Sequence, residues 1–265
     1  MPEAQIIKGL KPFFSIVIAC FNDLIVLKRC IASVNEQNFT SYEVLISDGA
    51  SNDGTTAFLS SGSVRNLGWC KSSTDTGIYD ALNAALPAIQ GKWVLVLGAD
   101  DRLSDSNALA RAHAAILKQK NDNHFFYSDL YISDISSVRL KRYPAFDEFC
   151  RRYAGAPFIH HQTALITSSA IREINGFDKA YRIHSDYDLM LKVLRYSSAV
   201  KLDDAYVVYD ATGYSSRLRN ITRSISEVWH IRRSHGFRPF TFRFAVIYSR
   251  VLIKSFLLSW RRDQS

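Results

Sequence analysis

The hydrophobic pattern of the first hundred residues alternates short apolar runs with segments of helical spacing. Residues 13–20 form a dense apolar run, which is typical of a strand buried on both faces of a parallel sheet. Residues 24–36 then repeat apolar side chains every three or four positions, which predicts a helix. Further strands are predicted at 43–46, 68–70 and 93–97, and further helices from Thr55 and over 77–88. This alternation predicts an α/β fold with a mostly parallel sheet flanked by helices.

The pattern changes after residue 101. A predicted helix at 107–119 precedes a strand at 124–128, and shorter, antiparallel pieces are expected over 130–142 and 163–166. Another helix is predicted over 186–196. No internal repeat or low-complexity linker interrupts the chain, so we expect one α/β domain over residues 1–215, followed by a basic, amphipathic helical appendage over 216–265.

Composition is that of a globular protein, and the charge is unevenly distributed. The 265 residues are 47% hydrophobic and 22% charged, with a net charge of +8. Residues 217–265 hold eleven Lys and Arg against two acids, so the rest of the chain is nearly neutral. Residues 1–12 lack the sustained apolar stretch of a signal peptide. No CxxC spacing joins the cysteines, which we expect to be the reduced thiols of a cytoplasmic protein: Cys20, Cys30, Cys70 and Cys150.

Two adjacent carboxylates follow the strand predicted at 93–97. Because Asp100 and Asp101 are adjacent, each carboxylate raises the pKa of the other. A divalent cation, which prefers oxygen ligands, would offset this repulsion most simply. The carboxyl edge of a parallel sheet is also where open α/β folds bind ligands. The pair therefore indicates a metal–nucleotide site, with a solvated turn as the alternative.

Several motifs in fixed order carry a family resemblance. Residues 14–22 (FSIVIACFN), 46–55 (ISDGASNDGT), 75–83 (DTGIYDALN) and 98–101 (GADD) resemble the nucleotide-sugar half of inverting family-2 glycosyltransferases, which have the GT-A fold. His161-Gln162, 176–178 (GFD) and 185–188 (SDYD) resemble the acceptor half of the bacterial, surface-polysaccharide type. The resemblance covers residues 13–195. It implies a nucleotide-sugar half over 13–103 and an acceptor half over 104–200.

The resemblance implies a donor site and a metal ligand. Phe21 could stack on the nucleotide base, with core packing as the alternative, and Asp48 would meet the polar edge of the base, with turn capping as the alternative. Asp101 would bind Mg²⁺ or Mn²⁺ beside the diphosphate, where the cation stabilises the charge of the leaving group. The residues expected to bind the nucleotide-sugar are Ala19, Phe21, Asn22, Asp48, Asp75, Tyr79, Asp80, Asn83 and Asp100.

Inverting transfer also needs a base that deprotonates the acceptor hydroxyl. The resemblance assigns this role to Asp186, with Asp188 pointing elsewhere, and assigns acceptor binding to His161 and Gln162. The chain departs from the common pattern at Ala19, at Asp48-Gly49, at Gly98 and at Ser185. It also lacks a Gln-x-x-Arg-Trp motif, which argues against a processive polymer synthase.

The C-terminal sequence has an amphipathic pattern. On a helical projection, residues 242–262 place Arg243, Arg250, Lys254 and Arg261 within about 40° of one another, and the rest of the circumference is mainly apolar. The apolar runs are shorter than the ~20 residues that span a bilayer. This pattern favours an interfacial anchor on anionic lipid of the inner leaflet, and leaves open a helix packed on the protein or in a homodimer interface.

Together these features predict a cytoplasmic enzyme, peripheral on the cytoplasmic face of the membrane. It would transfer a hexosyl or N-acetylhexosaminyl group from a nucleotide-sugar, with a UDP-sugar favoured, to a lipid-linked or surface-polysaccharide acceptor. A nucleotidyltransferase is the alternative, but residues 19–22 are neither glycine-rich nor basic. A nucleic-acid-binding module through the basic tail would leave the acidic motifs unexplained.

Overall fold

The computed structural model describes residues 11–119, 123–134, 137–152, 157–211 and 221–238. Its strands are β1 (Phe14–Cys20), β2 (Tyr42–Asp48), β3 (Leu67–Ser72), β4 (Trp93–Val96), β5 (Arg102–Leu103), β6 (Phe125–Ser128), β7 (Leu130–Ser133), β8 (Val138–Lys141), β9 (Ala164–Thr167), β10 (Ala199–Leu202) and β11 (Val207–Asp210). Its helices are α1 (Leu24–Asn35), α2 (Thr55–Ser60), α3 (Ile78–Ala85), α4 (Ala108–Leu117), α5 (Phe146–Arg152), α6 (Ser168–Glu173), α7 (Ser185–Val193) and α8 (Ile221–Ser234).

Among the described residues, one large sheet organises the fold. Its strand order is β10-β6-β9-β4-β1-β2-β3. All neighbouring pairs are parallel except those made by β9, which runs antiparallel to both β4 and β6. In the register, Cys20 lies opposite Asp48, and Asp48 lies opposite Ser72, so β1, β2 and β3 end together. The loops that follow these three strands therefore share one edge of the sheet.

Helices cover both faces of this sheet. Along β1, Ile16 and Ile18 belong to one buried apolar cluster, whereas Val17 belongs to a second. The first cluster includes buried residues of α1 and α4, and the second includes those of α3, α6 and α7. Because both faces of β1 are buried, its sequence is a continuous apolar run rather than an alternating one.

A second sheet meets the first beside the acidic pair. Its order is β5-β11-β7-β8, with β5 antiparallel to β11, β11 parallel to β7, and β7 antiparallel to β8. Strand β5 begins directly after Asp101, and β11 ends at Asp210. Asp100 and Asp101 thus lie where the chain leaves the large sheet and enters the small one.

The predicted α/β fold with a mostly parallel sheet is confirmed, and the antiparallel pieces after residue 101 are present as β7, β8 and β9. The helix expected over 77–88 is divided: α3 ends at Ala85, and a 3₁₀ turn covers Leu86–Ala88, because Pro87 has no N–H to continue the α-helical ladder. The sequence reasoning did not identify α5, α6, β5, β10 or β11, whereas α8 lies in the C-terminal region that was expected to be helical.

Helix α8 is the first described element of the basic C-terminal region, and it packs on the α/β domain. Val228 and Ile231 of α8 form a buried cluster with Tyr187 and Leu191 of α7. Within the described ranges, no helix is both long enough and apolar enough to cross a membrane. The amphipathic segment predicted over 242–262 lies outside the described residues.

Candidate active site

The loops after β1, β2 and β3 bring three predicted donor residues together; we call this set, Phe21, Asp48 and Asp75, the nucleotide edge. Phe21 is 63% exposed, so its ring is not a core side chain. Gly49 separates Phe21 from Asp75: a Cβ at this position would lie 2.9 Å from Asp75 Oδ2 and 3.0 Å from the Phe21 ring. Any larger residue at position 49 would push the aromatic ring and the carboxylate apart.

Asp48 is the buried member of the nucleotide edge and is the last residue of β2. Its side chain is fully buried, and its oxygens accept hydrogen bonds from the Ser51 amide at 3.1 Å and from the hydroxyls of Ser51 and Ser72. The carboxylate therefore ties the loop after β2 to the end of β3.

Asn22 and Ala19 have supporting positions at the same edge. Asn22 adopts φ +50°, accepts from the Asn52 amide at 2.8 Å through Oδ1, and donates its own amide to Ser51 Oγ at 2.7 Å. These bonds join the loops after β1 and β2. Ala19 is half-buried on β1 and packs against the second apolar cluster.

The acidic pair is desolvated. Asp101 is 1% exposed, and burial together with the charge of Asp100 raises its pKa to about 7. Burial, and more weakly the charge of Asp210, also raises the pKa of Asp100. Asp101 Oδ1 accepts the Asp210 backbone amide at 2.9 Å, and a side-chain contact from Gln162 opposes the shift. The pair is an arrangement of two carboxyl groups that favours a bound positive charge.

Two features of the pair fit a divalent cation. Asp101 Oδ2 is buried and has no hydrogen-bond donor among the described residues, although buried polar atoms are normally paired. A Cβ on Gly98 would lie 2.4 Å from this atom and 2.8 Å from Asp100 Oδ1, so glycine leaves the carboxylate oxygens accessible. The described residues contain no cluster of three or more His, Cys, Asp or Glu suited to a metal. A cation held here would take its other ligands from a diphosphate and water, as Mg²⁺ commonly does.

Asp186 forms the second chemical centre, at the first turn of α7. His161 Nδ1 lies 2.8 Å from Asp186 Oδ2, and the Tyr79 hydroxyl donates to the Ile183 carbonyl at 2.6 Å and lies 3.1 Å from Asp186 Oδ1. The Tyr187 amide also donates to Asp186 Oδ1, at 2.9 Å. The Asp186 side chain keeps 14% of its surface exposed, so the carboxylate is fixed but accessible.

The pKa values of Asp186 and His161 are shifted in the directions expected for an ion pair between them. Burial alone would raise the pKa of Asp186, but the hydrogen bond and charge of His161 hold it below its ordinary value. Burial would likewise lower the pKa of His161, but its bond to Asp186, and the charges of Asp186, Asp101 and Asp100, raise it. His161 therefore interacts electrostatically with the acidic pair as well as with Asp186.

Helix α3 makes contacts with the segment that surrounds Asp186, and its expected role in donor binding stays a prediction. Tyr79 lies against Asp186, rather than at the nucleotide edge. Asp80 accepts the Thr76 amide at 3.0 Å and pairs with Lys179 at 3.0 Å, so it holds the turn before α3 and joins the helix to Lys179. Asn83 bonds the Phe177 backbone twice, donating at 2.8 Å and accepting at 2.9 Å. Asp80 and Asn83 thus attach α3 to the segment that precedes α7.

The other histidines and the other acid near Asp186, namely His160, His184 and Asp188, form hydrogen bonds or ion pairs within the protein. His160 is buried against the Tyr143 hydroxyl, and burial lowers its pKa. His184 Nε2 lies 2.6 Å from Ser224 Oγ. Asp188 points away from Asp186, as expected, and pairs with His235 at 2.8 Å and Lys192 at 2.7 Å.

Sequence reasoning missed several contributors. Ser51 was visible in the loop after β2, but Ser72 and Asp210 become neighbours of Asp48 and Asp101 only through strand pairing. Glu227 of α8 accepts the amides of 182–184, just before α7. The sequence feature that could have identified Glu227 is that it is one of only two acidic residues among residues 217–265.

Solved structures share this fold. Staphylococcus aureus TarS 1-349 in complex with UDP-GlcNAc superposes with a TM-score of 0.63 at 17% identity, over 84% of this chain and 65% of that one. The mannosyltransferase PcManGT from Pyrobaculum calidifontis, in complex with GDP-Man and Mn²⁺, superposes with a TM-score of 0.59 at 17% identity, over 84% of this chain and 63% of that one. The chain thus spans somewhat less than two thirds of these structures, and the likeness shows a GT-A fold.

Sequence relatives agree with the structural likeness. The PGL/p-HBAD biosynthesis glycosyltransferase of Mycobacterium bovis (strain BCG / Pasteur 1173P2) is 26% identical over 262 residues, which cover 95% of this chain and 98% of that protein. An uncharacterized glycosyltransferase of Mycobacterium tuberculosis (strain ATCC 25618 / H37Rv) is 26% identical over 206 residues, or 77% of this chain and 78% of the relative. The model of Glycosyl transferase family 2 matches residues 15–174, more than half of the chain, and the protein belongs to that glycosyltransferase family.

Proposed function

We propose that this glycosyltransferase is inverting and non-processive, and that it transfers one sugar from a nucleotide-diphosphate-sugar to a lipid-linked or surface-polysaccharide acceptor. One observation carries the proposal: His161 contacts Asp186 at 2.8 Å and is also influenced by the charges of Asp100 and Asp101. The imidazole that contacts the proposed base is thus also affected by the charges of the proposed metal-binding pair.

The donor is proposed to bind along the nucleotide edge. Phe21 offers an exposed aromatic face on which a base can stack. Asp75 lies beside it, and its Oδ1 accepts the Gly77 amide at 2.8 Å. A UDP-sugar is the favoured donor, and two structural neighbours contain UDP-GlcNAc and GDP-Man.

Asp101, with Asp100 beside it, is proposed to hold Mg²⁺ or Mn²⁺. When bound, the cation would neutralise charge on the leaving diphosphate. Binding would also give the buried Asp101 Oδ2 a partner. The PcManGT structure contains Mn²⁺, which supports this choice of ion.

Asp186 is proposed to accept the proton of the acceptor hydroxyl as the sugar carbon is attacked. Its lowered pKa keeps the carboxylate ionised, and the Tyr79 and Tyr187 contacts fix its orientation. When the acceptor hydroxyl attacks from the side opposite the leaving diphosphate, as proposed here, a single displacement inverts the anomeric carbon. His161, which contacts Asp186, and Gln162, which contacts Asp101, are proposed to line the acceptor side.

The acceptor is proposed to be presented at a membrane. The basic, aromatic sequence of residues 239–265 supports peripheral binding to anionic lipid on the cytoplasmic face. A relative named for PGL/p-HBAD biosynthesis matches almost the whole chain. The sugar transferred is proposed to be a hexose or an N-acetylhexosamine.

A thermal-shift screen tests the donor proposal. Purified protein would be heated with UDP-GlcNAc, UDP-glucose, UDP-galactose, GDP-mannose or dTDP-rhamnose, each with and without Mn²⁺. At a ligand concentration of 100 Kd, binding adds about 2.7 kcal/mol, so one donor should raise Tm by several degrees only when Mn²⁺ is present.

Paired variants complete this test. Asp101→Asn should lose the Mn²⁺-dependent shift, because it removes the charge beside the diphosphate. Asp105→Asn is the matched control: this nearby carboxylate pairs with Arg111 at 2.7 Å and should keep the shift. An undiminished shift in Asp101→Asn would overturn the metal-ligand assignment.

A further inference from the structure

Glu227 on α8 is a buried acid for which the proposed reaction has no direct use. Its side chain is 8% exposed, although it belongs to a strongly basic part of the sequence. Burying a carboxylate is costly unless hydrogen bonds replace its water. The partners of Glu227 therefore indicate why an acid occupies this position.

Those partners are three consecutive backbone amides. Arg182 N–H donates to Glu227 Oε1 at 2.9 Å, and Ile183 and His184 donate to Oε2 at 2.9 and 3.0 Å. Successive N–H groups that converge in this way form an anion-binding concavity. The concavity immediately precedes α7, whose N-terminal dipole also favours a negative charge.

The segment held by Glu227 also holds the proposed base. The Ile183 carbonyl accepts the Tyr79 hydroxyl at 2.6 Å, and the same hydroxyl lies 3.1 Å from Asp186 Oδ1. Asp186 follows two residues after His184, the N-cap of α7. Movement of residues 182–184 would therefore displace both Asp186 and the hydroxyl beside it.

Other contacts attach α8 to α7 without involving this segment's backbone. Arg232 donates to the Tyr187 hydroxyl at 3.3 Å, His235 pairs with Asp188, and an apolar cluster lies between the helices. None of these contacts uses the Glu227 carboxylate, so they should remain when Glu227 is replaced by an isosteric amide. The charge of Glu227 can thus be removed while the helix stays packed.

We propose that Glu227 is a positioning residue, whose carboxylate fixes residues 182–184 so that Asp186 stays aligned with the acceptor hydroxyl. This inference rests on the proposed function, because it takes Asp186 as the base. Glu227 itself touches neither substrate nor the reacting atoms.

Glu227→Gln is the primary test. In the variant an NH₂ group replaces one carboxylate oxygen and cannot accept a hydrogen bond from the backbone amides of residues 182–184. This segment should therefore shift, while the nucleotide-sugar site is untouched. We expect kcat to fall on the order of 10²-fold with an unchanged donor KM, since small misplacements of reacting groups have effects of this size. The assay would use the nucleotide-sugar selected by the thermal-shift screen, with octyl glucoside and octyl N-acetylglucosaminide as acceptors. Glu227→Asp keeps the charge and should restore part of the rate, even if Glu227→Gln folds poorly.

Glu43→Gln is the matched control. Glu43 is also a buried glutamate, 5% exposed, and its Oε1 accepts the Gln90 amide at 2.7 Å and the Ser15 hydroxyl at 2.6 Å, away from α7. We expect this variant to lower Tm but to leave kcat of the folded protein near the wild-type value. Equal losses of kcat in the two variants would show that Glu227 acts only through general stability and would overturn the proposal.

A double variant separates this inference from the proposed function. If Glu227 acts through Asp186, adding Glu227→Gln to Asp186→Asn should change the residual rate by less than twofold, because the two changes remove one function. A further loss of the order seen in the single variant would contradict the positioning role. Full activity of Asp186→Asn alone would instead refute the proposed base, whatever Glu227→Gln does.

Discussion

Asp101 is buried and Asp186 is half-buried, and their surroundings move their pKa values in opposite directions. Burial, together with the charge of Asp100, raises the pKa of Asp101 to about 7, and Asp101 Oδ2 has no donor among the described residues. Asp186 faces His161, so its pKa is lowered. One carboxyl group is thus suited to a cation and the other to accepting a proton. Two acids of the same kind acquire different chemistry from their neighbours.

His161→Gln should separate these effects. Glutamine can still donate to Asp186 but carries no charge, so the pKa of Asp186 should rise. The acid limb of the kcat–pH profile, which reports ionisation of the base, should therefore move to higher pH. A profile that keeps its acid limb in the variant would show that His161 does not set the ionisation of Asp186.

The same substitution has a defined effect on stability. The raised pKa of His161 contributes stability that is complete below its ordinary value of 6.5 and is lost as pH rises through the folded value. The lowered pKa of Asp186 contributes above its ordinary value of 3.8 and is lost as pH falls through the folded value. The difference in unfolding free energy between wild type and His161→Gln should be greatest between these two ordinary values.

Helix α3 connects the two halves of the site. Its sequence predicted the helix and its polar first turns, and the motif over 75–83 indicated a functional segment. The partners of Tyr79, Asp80 and Asn83 lie about a hundred residues later, at Asp186, Lys179 and Phe177. No local pattern encodes these contacts, because they arise from how α3 packs beside the segment that precedes α7. This is why the resemblance could indicate the elements but not the direction of each side chain.

Asn83→Ala tests the structural role at this scale. Removing the amide leaves the buried N–H and C=O of Phe177 without partners, at a cost of about 1–3 kcal/mol for each group. We expect a clear fall in Tm with an unchanged donor Kd. Asn38→Ala, which removes an exposed bond to Asn107, should change Tm little. Loss of donor binding without a loss of stability would show that Asn83 contacts the donor instead.

Across the whole molecule, the fold was the most predictable feature. The period of the apolar residues fixes strands and helices, and parallel strands place their following loops at one edge, so Phe21, Asp48 and Asp75 could be expected to meet there. The role of α8 could not be anticipated, because a basic helix carries no local sign of the surface on which it packs. Its contact with α7 also links the basic C-terminal sequence to the element that bears Asp186.

Truncation after Arg238 tests membrane association. The shortened chain retains α8 but loses five basic residues, among them Arg250 and Lys254, together with the apolar sequence between them. Because attraction to anionic lipid scales with such charges, we expect the full chain to sediment with phosphatidylglycerol vesicles and the truncated chain to stay in the supernatant. Neutral phosphatidylcholine vesicles serve as the control. Equal sedimentation of both proteins would favour packing of the tail on the protein.

The transfer rate of Asp186→Asn, measured at saturating donor, tests the central claim most directly. The variant keeps the size of the side chain and leaves the nucleotide edge and the acidic pair intact. We predict a fall of about 10²–10⁴-fold in the rate of sugar transfer. The Mn²⁺-dependent donor Kd should remain unchanged. A transfer rate within a few fold of wild type would contradict the assignment of Asp186 as the base.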